Sequence, residues 1–311
     1  MTEKKSISVI IPTIGRNSLE RTLSSVLNQT YDVSQIIICY DGDDYEHFGI
    51  GINEICSCDS SKIVVINCGP FNGGNNARQM GIEIASSQYI ALVDDDDEWL
   101  PCHISSFFEM ITDIKHDYIL YSSGAIFMVD GLKVGERPTR MKKENETFSE
   151  YIFTKKSLGW EHGFIQSSIM IFSKSLVEKV PFDKKLRFHQ DVDWILRVQK
   201  SGLPYIYKQN PVKTVIYNST NDSVSKKIRA DQSFEWAKTA FDTIDKRCLG
   251  DFLLTQTFRF AKNNDGYLKA IQVIARGVYY GRPSYYSVAL AIVDLIFPRK
   301  IKKLMKKKFL K

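Results

Sequence analysis

The chain has 311 residues, of which 43% are hydrophobic and 12% aromatic, so it is long enough to bury the core of one large domain or of two smaller ones. Its formal net charge is +6, but residues 298–311 alone hold eight Lys or Arg and no acid. The rest of the chain therefore carries about −2, which excludes a generally basic, nucleic-acid-binding body.

Strands and helices alternate over the first hundred residues. Apolar runs predict buried strands, and periodic apolar positions predict the helices between them. The predicted strands are Ser6–Pro12, Gln35–Tyr40, Lys62–Asn67 and Tyr89–Val93, and the predicted helices are Ser18–Gln29, 45–56 and Asn75–Ala85. This order is typical of an α/β fold with a Rossmann-like, mostly parallel sheet flanked by helices, in which ligands bind at the carboxyl ends of the strands.

The pattern is less regular after Pro101. The remaining predictions are a helix to about Ile114, strands at Asp117–Val129, Gln166–Phe172 and Leu203–Lys208, and a helix at Asp191–Lys200. The polar, charged passage Gly131–Glu150 is predicted to be a mobile loop. Beyond Ser225 the pattern is helical.

Five carboxylates stand side by side in YIALVDDDDEWLP, residues 89–101, where the fourth predicted strand ends. Adjacent like charges raise the pKa of some of these groups unless a cation offsets them. A solvated acidic turn is the alternative. The position at the end of a buried strand favours a ligand site that includes a cation.

Polar residues follow all four early strands. The groups are Pro12-Thr13, Asp41-Gly42-Asp43, Asn72-Gly73-Gly74 with Arg78, and Asp94 to Asp97. One cleft lined by them suits a nucleoside diphosphate, because carboxylates can bind the base or a metal that bridges two phosphates, and an arginine adds positive charge. No G-x-G-x-x-G follows the first strand and no G-x-x-x-x-G-K-S/T occurs, so dinucleotide and P-loop sites are excluded.

Five segments in order, SVIIPT, LSSVLNQTY, QIIICYDG, NGGNNARQMGI and YIALVDDDDEWLP, followed later by HQDVDWILR, resemble the motifs of family 2 glycosyltransferases. The resemblance implies the GT-A fold and an inverting, metal-dependent transfer of a sugar, a hexose by preference, from a nucleoside-diphosphate sugar, with a UDP-sugar favoured. It also implies a nucleotide-sugar-binding half (1–100) and an acceptor-binding half (101–225), and the helical pattern and basic residues beyond them predict a helical C-terminal region with a basic amphipathic tail (226–311).

The resemblance assigns roles to individual residues near the nucleotide. Pro12 and Thr13 match the nucleotide-contacting loop, Asp41 the aspartate that meets the base, Arg78 the arginine near the phosphates, Asp94 and Asp95 the ribose side, and Asp96 the D-x-D ligand of Mn²⁺ or Mg²⁺. Because four aspartates are consecutive, the metal ligand is open among Asp95, Asp96 and Asp97. The identity of the base is also open, because Ile14-Gly15 stands where the family usually has Tyr-Asn.

A second candidate site lies in RFHQDVDWILRVQKSG, residues 187–202. The resemblance makes Asp191 the catalytic base, with Gln190 where the family usually has a glutamate. A helix N-terminal cap is the structural alternative for Asp191 or Asp193. Weaker candidates for contact with the acceptor are His189, Trp160 and His162, each of which could instead be an ordinary core or surface residue.

The apolar segment Ser284–Phe297 precedes the lysine-rich tail and is too short to span a bilayer. An apolar segment followed by a basic one fits an element that lies on an anionic membrane, although a core-packed last helix is the alternative. Six cysteines without C-x-x-C spacing and an N-terminus without a secretion-signal pattern predict a protein in the cytoplasm, peripheral on the inner face of the cell membrane. With the resemblance, this suggests a polyprenyl-diphosphate-linked saccharide acceptor in O-antigen or capsule polysaccharide synthesis.

Two other functions compete with glycosyl transfer. A nucleotidyltransferase that makes sugar nucleotides could share the sheet and the acidic site, but it would carry a glycine-rich basic loop after the first strand, which residues 12–16 match poorly. A non-catalytic glycan-binding relative could use the aspartates to hold Ca²⁺.

Overall fold

A computed structural model describes residues 5–55, 60–158, 163–219, 228–241 and 245–297. The chain divides into two compact units, the first comprising Met1–Met141 and Phe164–Thr220 and the second Lys142–Gly163 and Asn221–Lys311. Two of the predicted acceptor contacts, Trp160 and His162, lie outside the described residues. The division of the chain into nucleotide-binding and acceptor-binding halves stays a prediction.

All strands that the described residues form belong to the first unit. They are β1 (Ile7–Thr13), β2 (Gln35–Tyr40), β3 (Ile63–Asn67), β4 (Tyr89–Leu92), β5 (Glu98–Trp99), β6 (Ile119–Val129), β7 (Leu132–Arg137), β8 (Met170–Ser173) and β9 (Ile206–Asn218). The described residues of this unit place them in one sheet of order β3-β2-β1-β4-β8-β6-β9-β5, with β7 paired to β6.

The helices occur in both units. They are α1 (Leu19–Leu27), α2 (Tyr45–Ile55), α3 (Gly74–Ile84), α4 (His103–Met110), α5 (Phe148–Phe153), α6 (Lys174–Lys179), α7 (Gln190–Lys200), α8 (Ala230–Ala240), α9 (Lys246–Phe252), α10 (Phe258–Phe260), α11 (Tyr267–Tyr280) and α12 (Tyr285–Ile296). Two π-helical turns, Leu253–Thr257 and Ala261–Asp265, flank α10.

The first half of the sheet is parallel, as the alternation of elements predicted. β1 pairs in parallel with β2 and β4, and β2 pairs in parallel with β3. The sheet then becomes mixed, because β8 runs antiparallel to both β4 and β6. β1 is buried along its whole length. Because it runs parallel to its neighbour β4, its carboxyl end lies at the same edge of the sheet as the aspartates that follow β4.

Close packing of α3 on the sheet depends on Gly81. A Cβ at this position would lie 2.5 Å from Cys39 Sγ and 2.9 Å from a methyl carbon of Ile10, so only glycine lets the helix approach β1 and β2 this closely. This approach fixes where the N-terminal turns of α3, including Arg78, stand relative to the strand ends.

The prediction of a loop over Gly131–Glu150 was wrong. Strand β7 and the start of α5 lie within it. In β7 only Leu132 and Val134 are apolar and both are exposed, so its apolar alternation is too short to predict a half-buried strand. Asp130 and Gly131 both adopt positive φ, at 49° and 74°, which is the Asp-Gly hairpin signal that the sequence offered.

Two later strand predictions need correction in their bounds. In Gln166–Phe172, residues Ser167–Ile169 form a 3₁₀ turn and the strand is β8, Met170–Ser173. The strand predicted at Leu203–Lys208 is β9, which continues past Pro211 to Asn218. The register with β6 shifts beside Pro211, because proline cannot donate to the ladder and a bulge accommodates it.

The second unit is helical in its described residues, as predicted for the chain beyond Ser225. Thr147 and Glu150 form a capping box at the start of α5, and Phe153, Phe241 and Phe252 pack edge to face or tilted in its core. The buried Asp251 accepts hydrogen bonds from Lys155 N at 2.9 Å and Ser284 N at 2.7 Å. Among the described residues no helix is both long enough and apolar enough to cross a bilayer.

Candidate active site

The four consecutive aspartates form a tight turn after β4. Asp97 N donates to Asp94 O at 3.0 Å, which reverses the chain and leads into β5. The turn presents the carboxylates to several donors, of which Gln166 serves both Asp94 and Asp97 and Arg16 serves both Asp95 and Asp96. This arrangement is how the fold accommodates four adjacent like charges.

Asp94 is bound by the arginine of α3. The Arg78 guanidinium forms a salt bridge with Asp94 and donates to Gln190 Oε1 at 2.7 Å, while Gln166 Nε2 donates to Asp94 Oδ2 at 2.9 Å. Burial lowers the pKa of Arg78, but the charges of Asp94 and Asp191 outweigh it and the net pKa is raised. Arg78 thus links the aspartate turn to the first residue of α7 with a permanent positive charge.

Asp95 and Asp96 share a second arginine. Thr13 Oγ1 donates to Asp95 Oδ2 at 2.6 Å, and Arg16 Nη1 donates to Asp95 Oδ1 at 2.8 Å and lies 3.4 Å from Asp96 Oδ2. Burial raises the pKa of Asp95, and these two donors oppose that rise. Asp95 is therefore a buried tie to the end of β1, whereas the Asp96 side chain is partly exposed and closer to solvent.

Asp97 is wholly buried and structural in its contacts. Its carboxylate accepts from Ser168 Oγ at 2.6 Å, Gln166 Nε2 at 3.2 Å and Asn218 N at 3.1 Å. Burial, followed by the charges of Asp94 and Asp96, raises its pKa well above the usual carboxyl range. These contacts attach the turn to the segment before β8 and to the end of β9.

Asp41 organises the loop that precedes α3. Its carboxylate accepts from Asn72 N at 2.7 Å and Gly73 N at 2.6 Å, and its carbonyl accepts from Phe71 N at 2.8 Å. Phe71 holds φ of 52°, a rare conformation for a non-glycine residue, and its carbonyl accepts from Arg187 Nη1 at 2.7 Å. The proposed base-contacting aspartate therefore also fixes the shape of the loop beside it.

Asp191 faces the same cluster from α7. Ser167 Oγ donates to its Oδ1, and burial raises its pKa, although the nearby Arg78 charge lowers it. The N-cap of α7 is His189, with φ of 56°, so Asp191 is the second helical residue and not the cap. A carboxylate with a raised pKa, oriented by a hydroxyl beside a cationic site, can accept a proton from a bound hydroxyl group.

The other predicted residues occupy less direct positions. Pro12 is buried within β1 beside Cys39, and His189 lies at the start of α7 with its ring 5.3 Å from that of Phe188. Asp193 pairs with Arg197 at 2.7 Å, an i, i+4 ion pair on α7, and it is not the N-cap of this helix, which is His189. The part that each predicted site residue plays in binding or catalysis stays a prediction.

The described residues contain no cluster of three or more His, Cys, Asp or Glu side chains that could hold a metal by themselves. Mg²⁺ and similar cations are commonly held by one or two carboxylates, with water and substrate phosphates completing the shell. Asp94, Asp95 and Asp97 each have both carboxylate oxygens bound by neighbouring donors, and Asp96 makes the longer 3.4 Å contact with Arg16 at a partly exposed position. One or two carboxylates of this turn, together with a diphosphate, would suit such a cation, and Asp96 is the one that the resemblance assigns to the metal.

Several residues of the cluster were missed by sequence reasoning. They are Arg16, Gln166, Ser167, Ser168, Tyr217 and Asn218, which reach the aspartates or Asp191 from distant positions in the chain. Single Ser, Gln and Asn residues carry no signal in a sequence without their partners. Arg16 had one signal, because it lies four residues after Pro12 in the loop that was already predicted to contact the nucleotide.

Comparisons with known proteins agree with this arrangement. Residues 8–181 match the sequence model of Glycosyl transferase family 2. The chain is 26% identical over 210 residues to the amylovoran biosynthesis glycosyltransferase AmsB of Erwinia amylovora, a match that covers 60% of this chain and 67% of AmsB. It is 35% identical over 101 residues to the UDP-Glc:alpha-D-GlcNAc-diphosphoundecaprenol beta-1,3-glucosyltransferase WfaP of Escherichia coli, covering 32% of this chain and 39% of WfaP.

A solved structure supports the fold. The chain resembles S. aureus TarS 1–349 in complex with UDP-GlcNAc with a TM-score of 0.61 at 14% identity, covering 89% of this chain and 81% of that one. The similarity confirms the predicted GT-A fold with its helical C-terminal region. The match to the family model includes the aspartate turn but ends before Asp191.

The Arg78–Asp94 pair yields a stability prediction. Arg78→Met leaves Asp94 without its charged partner and Gln190 Oε1 without the donor from Arg78, so we expect the free energy of unfolding to fall by about 2–4 kcal/mol. The control is Lys133→Met, which removes the exposed ion pair with Glu136 and should change the free energy of unfolding by less than about 1 kcal/mol. Urea unfolding followed by tryptophan fluorescence measures both, and equal losses would contradict the structural importance of Arg78.

Proposed function

The chain belongs to glycosyl transferase family 2, and on that premise we propose that it is a metal-dependent, inverting glycosyltransferase that moves a sugar, a hexose by preference, from a UDP-sugar to a hydroxyl group of a saccharide acceptor. Family membership makes it a glycosyltransferase and sets aside the nucleotidyltransferase and the non-catalytic glycan-binding alternatives. The observation that carries the finer proposal is the position of Asp191. Ser167 donates a hydrogen bond to its carboxylate, and the charge of Arg78, which binds the aspartate turn, is close enough to lower its pKa.

The proposed reaction is a single displacement. The acceptor oxygen attacks the anomeric carbon, the bond from that carbon to the diphosphate breaks, and UDP leaves from the opposite face. Asp191 takes the proton that the acceptor hydroxyl loses. Because burial raises its pKa, Asp191 is a stronger base than an exposed carboxylate once it is ionised.

The leaving diphosphate needs positive charge. Arg78 pairs with Asp94, and Arg16 pairs with Asp95 and Asp96, so both arginines lie at the aspartate turn after β4. When bound, Mn²⁺ or Mg²⁺ held by Asp96 would supply further positive charge to the departing diphosphate. Thr13 and Asp41 are proposed to bind the nucleoside, with the backbone of the loop at Asn72 and Gly73 shaped by Asp41.

The comparisons support the choice of donor and acceptor. The TarS structure contains UDP-GlcNAc, and the name of WfaP gives a UDP-linked donor and an undecaprenyl-diphosphate-linked acceptor. AmsB is named for the biosynthesis of a polysaccharide. We therefore propose a polyprenyl-diphosphate-linked acceptor and a role in the assembly of a surface polysaccharide such as an O-antigen or capsule.

An acceptor of this kind lies at a membrane. Residues 298–311 carry eight Lys or Arg and no acid, and they directly follow α12. Such a basic segment is attracted to anionic lipids. The protein is accordingly proposed to work on the inner face of the cell membrane, bound peripherally through this tail.

Nucleotide binding tests the proposed site without an activity assay. By calorimetry, UDP should bind with Mn²⁺ present and at least about tenfold more weakly without it, since the metal links the diphosphate to the protein. Asp96→Asn should remove this dependence on Mn²⁺, whereas Asp113→Asn, an exposed aspartate after α4, should keep it. Metal-independent binding of equal strength in the parent and the Asp96 variant would refute the metal assignment.

Ser167 provides a test of the base. Asp191→Asn should lower kcat by about 10²–10⁴-fold. Ser167→Ala removes a donor to the ionised carboxylate, so the pKa of Asp191 should rise and the acidic limb of kcat/KM should move to higher pH. The control is Ser175→Ala, which removes a hydroxyl group from α6 and should leave the acidic limb in place. If the limb of Ser167→Ala does not move, or moves to lower pH, Asp191 is not the base.

Truncation tests the basic tail. A chain ending at Phe297 loses eight positive charges, so its partition onto vesicles of phosphatidylcholine and phosphatidylglycerol should fall about tenfold or more. Co-sedimentation with these vesicles measures the loss, and raised salt should weaken binding of the full chain in the same direction. Undiminished binding of the truncated chain would show that the tail does not hold the protein at the membrane.

A further inference from the structure

Large apolar side chains are exposed along α11 and α12 in the second unit. Leu268 is 80% exposed and Tyr279 is 81% exposed. The other exposed large apolar residues of these two helices are Tyr267, Ile271, Val278, Tyr280, Tyr285, Ile292 and Ile296. Single exposed apolar residues are common on protein surfaces, but a group of nine on two consecutive helices is typical of an interaction site.

The exposed residues of α11 form one stripe. Its buried positions, Ala270, Val273 and Gly277, repeat at helical spacing and define the inward side. Leu268, Ile271, Val278 and Tyr279 are spaced at i, i+3, i+10 and i+11, which places them together on the opposite side. An ordinary surface helix carries polar residues there, so this outward stripe needs another explanation.

α12 shows the same anomaly. Only Ser287 and Ala291 are buried, although nearly every residue of this helix is apolar. Tyr285, Ile292 and Ile296 are exposed at i, i+7 and i+11, a spacing that again places them on one side. A helix that is apolar all round is normally enclosed by protein or lipid.

Charge indicates which surface would cover these stripes. Residues 267–311 hold eleven Lys or Arg and one acid, Asp294, which is bound by Lys262. The two basic residues of α11, Lys269 and Arg276, share Asp231 of α8, and the other nine follow α11 in the chain. Anionic lipid headgroups complement this charge. A second copy of the chain would instead oppose one strongly basic segment to another, which disfavours self-association through this surface.

The exposed tyrosines add a second argument. Tyr267 lies at the start of α11, Tyr279 and Tyr280 at its end, and Tyr285 at the start of α12. Tyrosine is enriched at membrane–water interfaces, because its ring is apolar and its hydroxyl stays hydrated. Apolar stripes bordered by tyrosines and basic residues are features of helices that lie in the plane of an anionic membrane.

We propose that α11 and α12 form a membrane-docking surface that inserts the apolar stripes into the headgroup region of an anionic bilayer. The proposal extends the membrane association described above from the basic tail to a folded surface, and it rests on that association. The tail attracts the protein to anionic lipid through charge, and the stripes hold it there through burial of apolar area. Neither role depends on the identity of the sugar or of the acceptor.

Vesicle co-sedimentation of the full chain separates the two contributions. The neutral pair Leu268→Gln with Tyr279→Gln removes apolar area from α11 without changing charge, and it should reduce binding to phosphatidylcholine–phosphatidylglycerol vesicles by about tenfold. The matched control is Leu132→Gln with Val134→Gln on β7, where the side chains are 71% and 61% exposed in the first unit. The control pair should bind as the parent does, and Ile296→Gln should weaken binding by itself.

The outcomes distinguish the surface from the tail. If the α11 pair binds vesicles like the parent while truncation after Phe297 abolishes binding, the docking surface is refuted and the tail alone accounts for association. Loss in the α11 pair with the control unaffected supports the surface, even if truncation has no effect. Light scattering provides a further test. If the parent is a dimer, the α11 double variant is a monomer and neither binds vesicles, the surface is a dimer interface and the proposal is overturned.

Discussion

The site depends on a solution to one electrostatic problem, the placement of four adjacent aspartates at the end of a buried strand. Like charges at this spacing are unfavourable unless each receives its own compensation. Arg78 from α3 binds Asp94, and Thr13 at the end of β1 and Arg16 after it bind Asp95. Ser168 and Asn218 bind Asp97. These donors come from four separate parts of the first unit, so the turn can keep its shape only when those parts are folded around it.

The same compensation divides the carboxylates by role. Asp94, Asp95 and Asp97 accept hydrogen bonds from protein donors on both carboxylate oxygens, and Asp96, which lies 3.4 Å from Arg16, is the proposed metal ligand. Arg78 also reaches Gln190, which places Asp191 of α7 beside the turn. The proposed metal carboxylate, phosphate-binding arginine and general base are thereby brought to one edge of the sheet, as transfer from a nucleoside-diphosphate sugar requires.

Sequence reasoning succeeded where a local pattern carries the information. Strands β1 to β4 are continuous apolar runs, and the polar residues at their ends indicated the location of the site. Strand β7 was missed because it is exposed and its apolar alternation is limited to Leu132 and Val134. Ser167 and Ser168 were missed because their importance lies in contacts more than twenty residues away in the chain. The exposed stripe on α11 likewise could not be read from its composition, since the same apolar residues would suit a buried helix.

The most direct measurement is anomalous X-ray scattering from crystals grown with UDP and Mn²⁺. We expect one manganese ion, bound by Asp96 and by the diphosphate, with the Arg78–Asp94 and Thr13–Asp95 contacts still in place. A peak bonded to Asp95 or Asp97 would mean that the protein donors around the turn are exchanged when substrate binds. UDP bound away from this turn would contradict the central claim that the aspartates form the donor site.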